Sequence, residues 1–259
     1  MSLQIEVPHS RDNAVLFFQN YVAQNKNILK GKEVYDLSAG SGYIAHLFEE
    51  VGANVKPFDL FPEQNTFATS TCLKIDLQNK LSLHDSVADI VILGETIEHL
   101  PNQFFFFQEA ARIMKRGGIF ILTTPNSSSL RSRLAQFLME SEHYSNAAPN
   151  ELDAYTRWDE TKGEQGYFSK LFISGILRLR TLAAVNGLII KTIHPSSRSS
   201  TSILLLIFYP LIYFFSRKNF KKQIKKDSQN KSVYKEIFSI NTSMKVLLGK
   251  HLMIEFVKK

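Results

Sequence analysis

The sequence predicts an α/β fold built on a mostly parallel sheet with helices on both faces. Three observations carry this expectation. Strand and helix signals alternate through the first 125 residues, the strand segments are short runs rich in Val, Ile, Leu or Phe, and the composition is that of a packed globular chain. Apolar residues make up 44% and charged residues 21%, which excludes a disordered or fibrous protein. A length of 259 residues exceeds the usual ~100–200 of one domain but stays within reach of a single large one.

The elements follow in order. Lys32–Ser38 is an apolar run ending in small residues, and Ile44, Leu47, Phe48 and Val51 recur at helical spacing over residues 43–51. Asn54–Phe58, Thr71–Ile75, Ala88–Leu93 and Gly118–Thr123 read as strands. Gln103–Lys115 reads as a helix stopped by Gly117 and Gly118. At least two of Phe104–Phe107 must face inward on that helix. Residues 126–170 are polar and too long for a plain connection, which points to an inserted lid. A helix over Leu171–Val185 and a strand over Leu188–Ile193 come next. The chain then leaves the alternating pattern from Ser196 to Gly249 and closes on a strand at His251–Val257. One domain over 1–259 is expected, with a core at 25–125, 171–194 and 250–257, a lid at 126–170 and an apolar, basic helical excursion at 196–249.

Charge is unevenly spread. The whole chain carries +7, but residues 191–259 carry +11 and residues 1–190 carry −4. An acidic body with one basic segment is not the footprint of a nucleic-acid-binding protein, so nucleic acid is disfavoured as a partner. The single cysteine, Cys72, rules out an internal disulfide and suits a reducing compartment. The first residues show no basic start followed by an apolar run, so no secretory leader is expected and the location is read as cytoplasmic.

The chemistry concentrates in VYDLSAGSGY, residues 34–43, a strand followed by a small-residue turn and a helix. Small residues let backbone approach a ligand closely, and the helix start offers free N–H groups. Asp59 ends the second strand, where a carboxylate can accept both hydroxyls of a ribose, and Asp76 ends the third, where it can face an adenine amino group. Three acids at consecutive strand ends around one turn describe a nucleoside site.

These motifs resemble the class I S-adenosylmethionine-dependent methyltransferases, over residues 25–125 and more loosely 165–194 and 247–259. Asp36-x-Ser38-x-Gly40-x-Gly42 is similar to the family's acidic-x-Gly-x-Gly-x-Gly loop, Asp59 to its ribose acid, and Asp76-Leu77 to its adenine-side pair. The stretches 88–102 and 109–126 resemble the fourth strand with its loop and the next helix and strand. The resemblance implies a Rossmann-like seven-stranded, mostly parallel sheet whose antiparallel last strand lies between the fifth and sixth. It implies S-adenosyl-L-methionine as cofactor, held by Asp36, Ser38, Gly40, Gly42, Tyr43, Asp59, Leu60, Asp76, Leu77, Gly94 and Glu95. Ser38 departs from the family, which usually has glycine there. Its side chain would crowd the turn or its hydroxyl would bond the methionine end of the cofactor.

Glu95, Glu98 and His99 in GETIEHL fall on one face if the segment turns helically. Three readings remain open. His99 is a general base with its ring held by a carboxylate; or two carboxylates and an imidazole take a divalent cation; or the segment caps the loop after the fourth strand. Ubiquinone-biosynthesis methyltransferases carry a similar Glu-x-x-Glu-His. Plant-type small-RNA 2′-O-methyltransferases use this spacing plus a later His as metal ligands, for which His143 and His194 are the candidates here. Catalysis by His99 and Glu98 is the reading adopted, with no metal ligands assigned and a divalent cation kept as an alternative. Tyr144, Arg157, Trp158 and Tyr167 are candidates for the acceptor pocket in the lid, the alternative being that they pack it onto the sheet.

ILLLIFYPLIYFF (203–215) is an apolar run of 13 residues, shorter than the ~20 a spanning helix needs, and RKNFKKQIKK follows at 217–226. Apolar surface beside cations fits peripheral contact with the inner membrane face through residues 203–226, the alternative being a buried helix with solvated lysines. The expected function is methyl transfer to a hydroxyl of a small or lipid-linked acceptor at that surface. The alternatives are a metal-assisted RNA 2′-O-methyltransferase and a non-catalytic membrane-associated scaffold.

Overall fold

The computed structural model describes residues 13–141, 155–156 and 167–259. Helix α1 (Asn13–Leu29) leads into strand β1 (Glu33–Asp36), helix α2 (Tyr43–Glu50), strand β2 (Asn54–Asp59), a short β3 (Leu73–Lys74) and β4 (Ala88–Gly94). Helix α3 (Gln103–Ile113), β5 (Met114–Pro125) and α4 (Leu130–Met139) follow, then the small antiparallel pair β6 (Tyr155–Thr156) and β7 (Tyr167–Phe168). The chain continues through α5 (Ile176–Val185), β8 (Leu188–His194), α6 (Ser200–Leu204), α7 (Tyr209–Lys226), α8 (Lys231–Asn241), α9 (Met244–Leu248) and β9 (His251–Lys258).

Seven strands form one sheet in the order β3-β2-β1-β4-β5-β9-β8. The first five are parallel, and β9 runs antiparallel between β5 and β8, as the family resemblance implies. Both faces are buried, so successive side chains of one strand enter different cores. In β4, Val91 and Leu93 join the core under α3 and α5, whereas Ile90 and Ile92 join the core under α1 and α2. The abundant phenylalanines are spent here: Phe106 and Phe107 of α3 are fully buried against Phe120 and Phe256, with ring centroids 5.7–6.2 Å apart. Phe104, on the same helix, remains exposed.

Three boundaries differ from expectation. Strand β5 starts at Met114 rather than Gly118, because Met114 pairs with Ala88 before the register shifts, and Gly118 sits where a Cβ would lie 2.8 Å from the Lys115 carbonyl. Helix α5 starts at Ile176 rather than Leu171. The preceding residues turn at Leu171 and Phe172 and are tied to the loop after β4 and to α3, Phe172 N–H donating to the Glu98 carbonyl (2.9 Å) and Ser174 Oγ to Gln103 Oε1 (2.7 Å). The stretch expected as a polar lid from residue 126 begins with α4, capped by Ser129, whose Oγ accepts from Ser132 N–H (3.2 Å).

The excursion after β8 is built mainly of helices joined by short turns. From Ser200 to Lys226 it forms one continuous 27-residue helix interrupted only by a 3-10 stretch at Leu205–Phe208. Tyr213 and Phe220 of α7 pack on Phe238 of α8, with ring centroids 5.5 and 5.4 Å apart. The excursion leaves the sheet at His194 and returns at His251. His251 pairs with Pro125, so it leaves and returns at the carboxyl edge of the parallel strands.

Candidate functional site

The carboxyl ends of β1, β2 and β4 surround a cavity of about 220 Å³. Ser38, Asp59, Leu60, Asp76, Leu77, Glu95 and His99 line it, together with Leu37, Phe61, Gln64, Ile75, Gln78, Thr96, Leu100 and Tyr167. Eight residues singled out from the sequence, Tyr167 included, therefore meet around one space, although they span 130 positions from Ser38 to Tyr167.

Asp36 sits at the end of β1 and is 1% exposed. Its Oδ1 accepts from Ser38 N–H (3.3 Å), while Oδ2 is buried with no hydrogen-bond partner. Burial pushes its pKa from 3.8 to about 7, opposed by the Ser38 bond and reinforced by Asp59. An acid left half-satisfied in a buried turn is a receptor for a cation or donor from outside the chain. The turn beyond it has two glycines with left-handed backbone, Gly40 (φ 51°) and Gly42 (φ 82°), and a Cβ at Gly42 would lie 2.5 Å from Asn65 Oδ1. Asp59 fixes the turn: its Oδ2 accepts from Gly40 N–H (2.8 Å) and its Oδ1 from Phe61 N–H (2.9 Å). These bonds leave further lone pairs on each oxygen.

The unusual Ser38 is built into the framework. Its hydroxyl accepts from Gly94 N–H (2.9 Å) and directs its proton toward the Gly94 carbonyl (3.4 Å), joining the ends of β1 and β4. The side chain therefore spans the gap between two strands and leaves the turn uncrowded. Asp76 lies two residues beyond β3, and its carboxylate caps the turn that follows, accepting from Gln78 N–H (2.9 Å) and Asn79 Nδ2 (2.8 Å). Tyr43, like Asp36, Gly40, Gly42 and Gly94, is not among the residues lining the cavity; its hydroxyl accepts from Gln19 Nε2 of α1 (2.8 Å) and its ring meets Phe67.

Glu95 and His99 both line the cavity, but Glu98 turns away from it, so the three do not share one face. Only Ile97–His99 turns, as a 3-10 segment, and Glu95 precedes it with a left-handed backbone (φ 46°). Glu95 reaches His251 at the start of β9, with Oε2 3.4 Å from Nε2. Glu98 is fully buried behind the cavity, where its Oε2 accepts from Thr124 Oγ1 (2.9 Å) and Lys170 Nζ stands 4.0 Å from Oε1. Burial pushes its carboxyl above the usual range, against the pulls of a backbone N–H, His99, Thr124 and Lys170.

Glu98 therefore does not touch the cavity, and it does not hold the histidine ring. That partner is the Phe168 carbonyl of β7, 2.7 Å from His99 Nδ1. A carbonyl only accepts, so Nδ1 carries the proton and Nε2 keeps its lone pair on the cavity-lining imidazole. Tyr167 stacks edge-on against that ring at 5.6 Å, which places this acceptor-pocket candidate in the wall. His194 lies elsewhere, its Nε2 2.6 Å from Glu255 Oε1 between β8 and β9. Among the described residues no group of three His, Cys, Asp or Glu could hold a metal ion. His143, Tyr144, Arg157 and Trp158 lie outside the described residues.

Sequence reasoning missed His251, Lys170 and Thr124, whose contacts with the acidic pair come from elements remote in sequence. Phe61 and Gln64 lay closer to hand, in the loop directly after Asp59.

Comparison with known proteins bears on the fold and the family. Residues 35–122 match the methyltransferase domain family. The ubiquinone biosynthesis O-methyltransferase of Aliivibrio fischeri is 31% identical over 118 residues, 41% of this chain and 50% of that protein. The chain spans about half the length of such curated relatives. An S-adenosylmethionine-dependent methyltransferase from Archaeoglobus fulgidus superposes with a TM-score of 0.51 at 15% identity, covering 94% of each chain. The [4+2]-cyclase SpnF superposes with 0.52 at 12% identity, over 93% of this chain and 80% of its own. At such identities the likeness is one of fold.

Proposed function

We propose that this chain, whose residues 35–122 form a methyltransferase domain of the S-adenosylmethionine-dependent class I fold, methylates a hydroxyl of a small or lipid-linked acceptor at a membrane surface. Bound S-adenosylmethionine supplies an electrophilic methyl group on a sulfonium centre. The residues present fit that cofactor, and the observation that carries the fit is the orphaned, buried Oδ2 of Asp36 at the glycine turn. Asp36, Gly40 and Gly42 would hold the amino-acid end, Asp59 the ribose, and Asp76 with Leu77 the adenine side. Ser38 and Gly94 would keep the two strand ends beneath it together.

His99 takes the acceptor's proton. The Phe168 carbonyl fixes its tautomer, leaving Nε2 basic on the cavity side, and the proton moves from the acceptor hydroxyl to that nitrogen as the oxygen attacks. The chain otherwise works by position, bringing donor and acceptor into line and excluding water. Tyr167, with Phe61 against it at 5.9 Å, would form the acceptor side of the wall. The membrane part of the reading is supported by the exposed apolar helix and its lysines, and it implies a cytoplasmic enzyme peripheral to the inner face.

Turnover of methyl-labelled S-adenosylmethionine, screened against polyprenyl phenols, lipid-linked sugars and short RNAs, tests this reading. His99→Gln is expected to lower kcat by about 10²–10³ while leaving cofactor affinity unchanged. Transfer only to RNA, or full activity of the variant, would overturn it.

A further inference from the structure

Two exposed apolar surfaces lie beside the carboxyl edge of the sheet. The first is on the 200–226 helix. Tyr209, Tyr213, Ser216, Phe220 and Gln223 recur every three to four residues, and four of the five line the seam with α8 directly or through ring contacts. The opposite stripe runs Leu204, Ile207, Leu211 and Phe215 and then continues as Lys218, Lys222 and Lys225, all exposed. Leu204 and Ile207 are each 77% exposed. One face thus changes from apolar to cationic halfway along.

This helix is the one among the described residues long and apolar enough to cross a membrane by length and composition. Its inner face is clasped by α8, and α8 leads directly through α9 into β9 of the catalytic sheet. Its packing on α8 and the cations along its second half favour a helix lying against a bilayer over one spanning it.

The second surface is the last turn of α4, which the sequence reading did not single out. Phe137, Leu138 and Met139 are consecutive, so they point in three directions around the helix, yet all are exposed, Phe137 by 84%. Among the described residues, 136–140 are all exposed around this tip. Helix α4 packs against α6 and the 205–208 turn, and Arg131 N–H donates to Ser202 Oγ (3.1 Å). Arg133 Nη2 donates to Asn241 Oδ1 (2.9 Å), and Asn241 Nδ2 to Ser216 Oγ (2.7 Å). The α4 tip, α7 and α8 therefore form one braced unit.

We propose that the α4 tip and the outer stripe of the 200–226 helix form one bipartite docking surface for an anionic phospholipid bilayer. Apolar side chains of both parts enter the boundary region, and the exposed Arg217, Lys218, Lys221, Lys222, Lys225 and Lys226 meet the headgroups. The charge selects a lipid surface with negative headgroups over a neutral one. Both parts spring from the sheet edge that carries the cavity, so docking turns the cavity's edge toward the bilayer. This rests on the membrane-surface part of the proposed function and adds a second anchor and an orientation.

Flotation of the full chain with vesicles of 70% phosphatidylcholine and 30% phosphatidylglycerol tests it. Two variants are compared with wild type: Phe214→Ser with Phe215→Ser, and Phe137→Ser with Leu138→Ser and Met139→Ser. All these positions are exposed, so the fold persists, which circular dichroism and S-adenosylmethionine calorimetry verify. Each variant is expected to lower the partition coefficient at least about tenfold, and pure phosphatidylcholine to bind wild type more weakly. An α4 variant that floats like wild type overturns the bipartite surface while leaving the helical excursion as a membrane contact. Absence of flotation for wild type ends both. Vesicle-free dimers that the Phe214/Phe215 variant dissolves would assign the surface to a second copy of the chain and overturn the proposal.

Discussion

Asp36→Asn removes the ionisable group that the fold leaves half-satisfied in the cofactor turn. In the free protein burial raises that group's pKa from 3.8 to about 7. A group raised in the folded state contributes stability that is full below its unfolded value and lost as pH rises through its folded value. The gap between 3.8 and about 7 corresponds to about 4 kcal/mol at ~1.4 kcal/mol per pH unit, and at 1% exposure no solvent screening reduces it. Wild type without ligand should thus lose stability between pH 4 and pH 8, and Asp36→Asn should flatten most of that slope and be the more stable protein at pH 8. A cation placed on Oδ2 reverses the balance by favouring the carboxylate, so binding of S-adenosylmethionine must expel the proton. Calorimetry at pH 6 in buffers of different ionisation enthalpy should report net proton release on cofactor binding, smaller at pH 8. The variant should release none. Equal proton release in both proteins, or none in wild type at pH 6, would refute the assignment of Asp36 to the cofactor's amino-acid end.

Further outcomes follow from the same geometry. Gly42→Ala forces a side chain into left-handed backbone at φ 82° and against Asn65, so it should cost about 1–2 kcal/mol in chemical denaturation and weaken cofactor affinity. Glu98→Gln keeps an acceptor for Thr124 without a buried charge and should denature within about 1 kcal/mol of wild type, whereas Glu98→Ala should lose about 2–3 kcal/mol. Since Glu95, Glu98 and His99 face three different partners, thorough chelation should leave methyl transfer unchanged; activity restored only by magnesium or manganese would show a cation at the site.

The parts of this protein legible in sequence are those fixed by local chemistry. Strands buried on both faces had to be short apolar runs, and β1, β2, β4 and β9 lie where those runs are. Asp36, Asp59 and the turn between them are placed by strand ends and backbone requirements, both of which leave marks in a single stretch of chain. Helix α1 left its mark too, in Ala14, Phe17, Phe18, Tyr21 and Val22 at helical spacing, but it precedes the first strand and carries no motif. The partners of the Glu/His segment were not legible. Which group orients His99 is decided by where strand β7 presents a carbonyl, and a backbone carbonyl has no signature in sequence. Likewise Glu98 became a buried residue because a 3-10 turn replaced the full helical turn that would have aligned it with Glu95 and His99. Ser38 reads as a defect in the glycine loop until the 2.9 Å bond from Gly94 N–H reveals it as a tie between strands.

Calorimetric titration with S-adenosylmethionine of the wild-type chain beside Asp59→Ala tests the central claim most directly, because Asp59 both holds the Gly40 turn and lines the cavity. Saturable one-to-one binding by wild type, lost in Asp59→Ala, is the predicted result; no binding by wild type, or undiminished affinity in the variant, would contradict it.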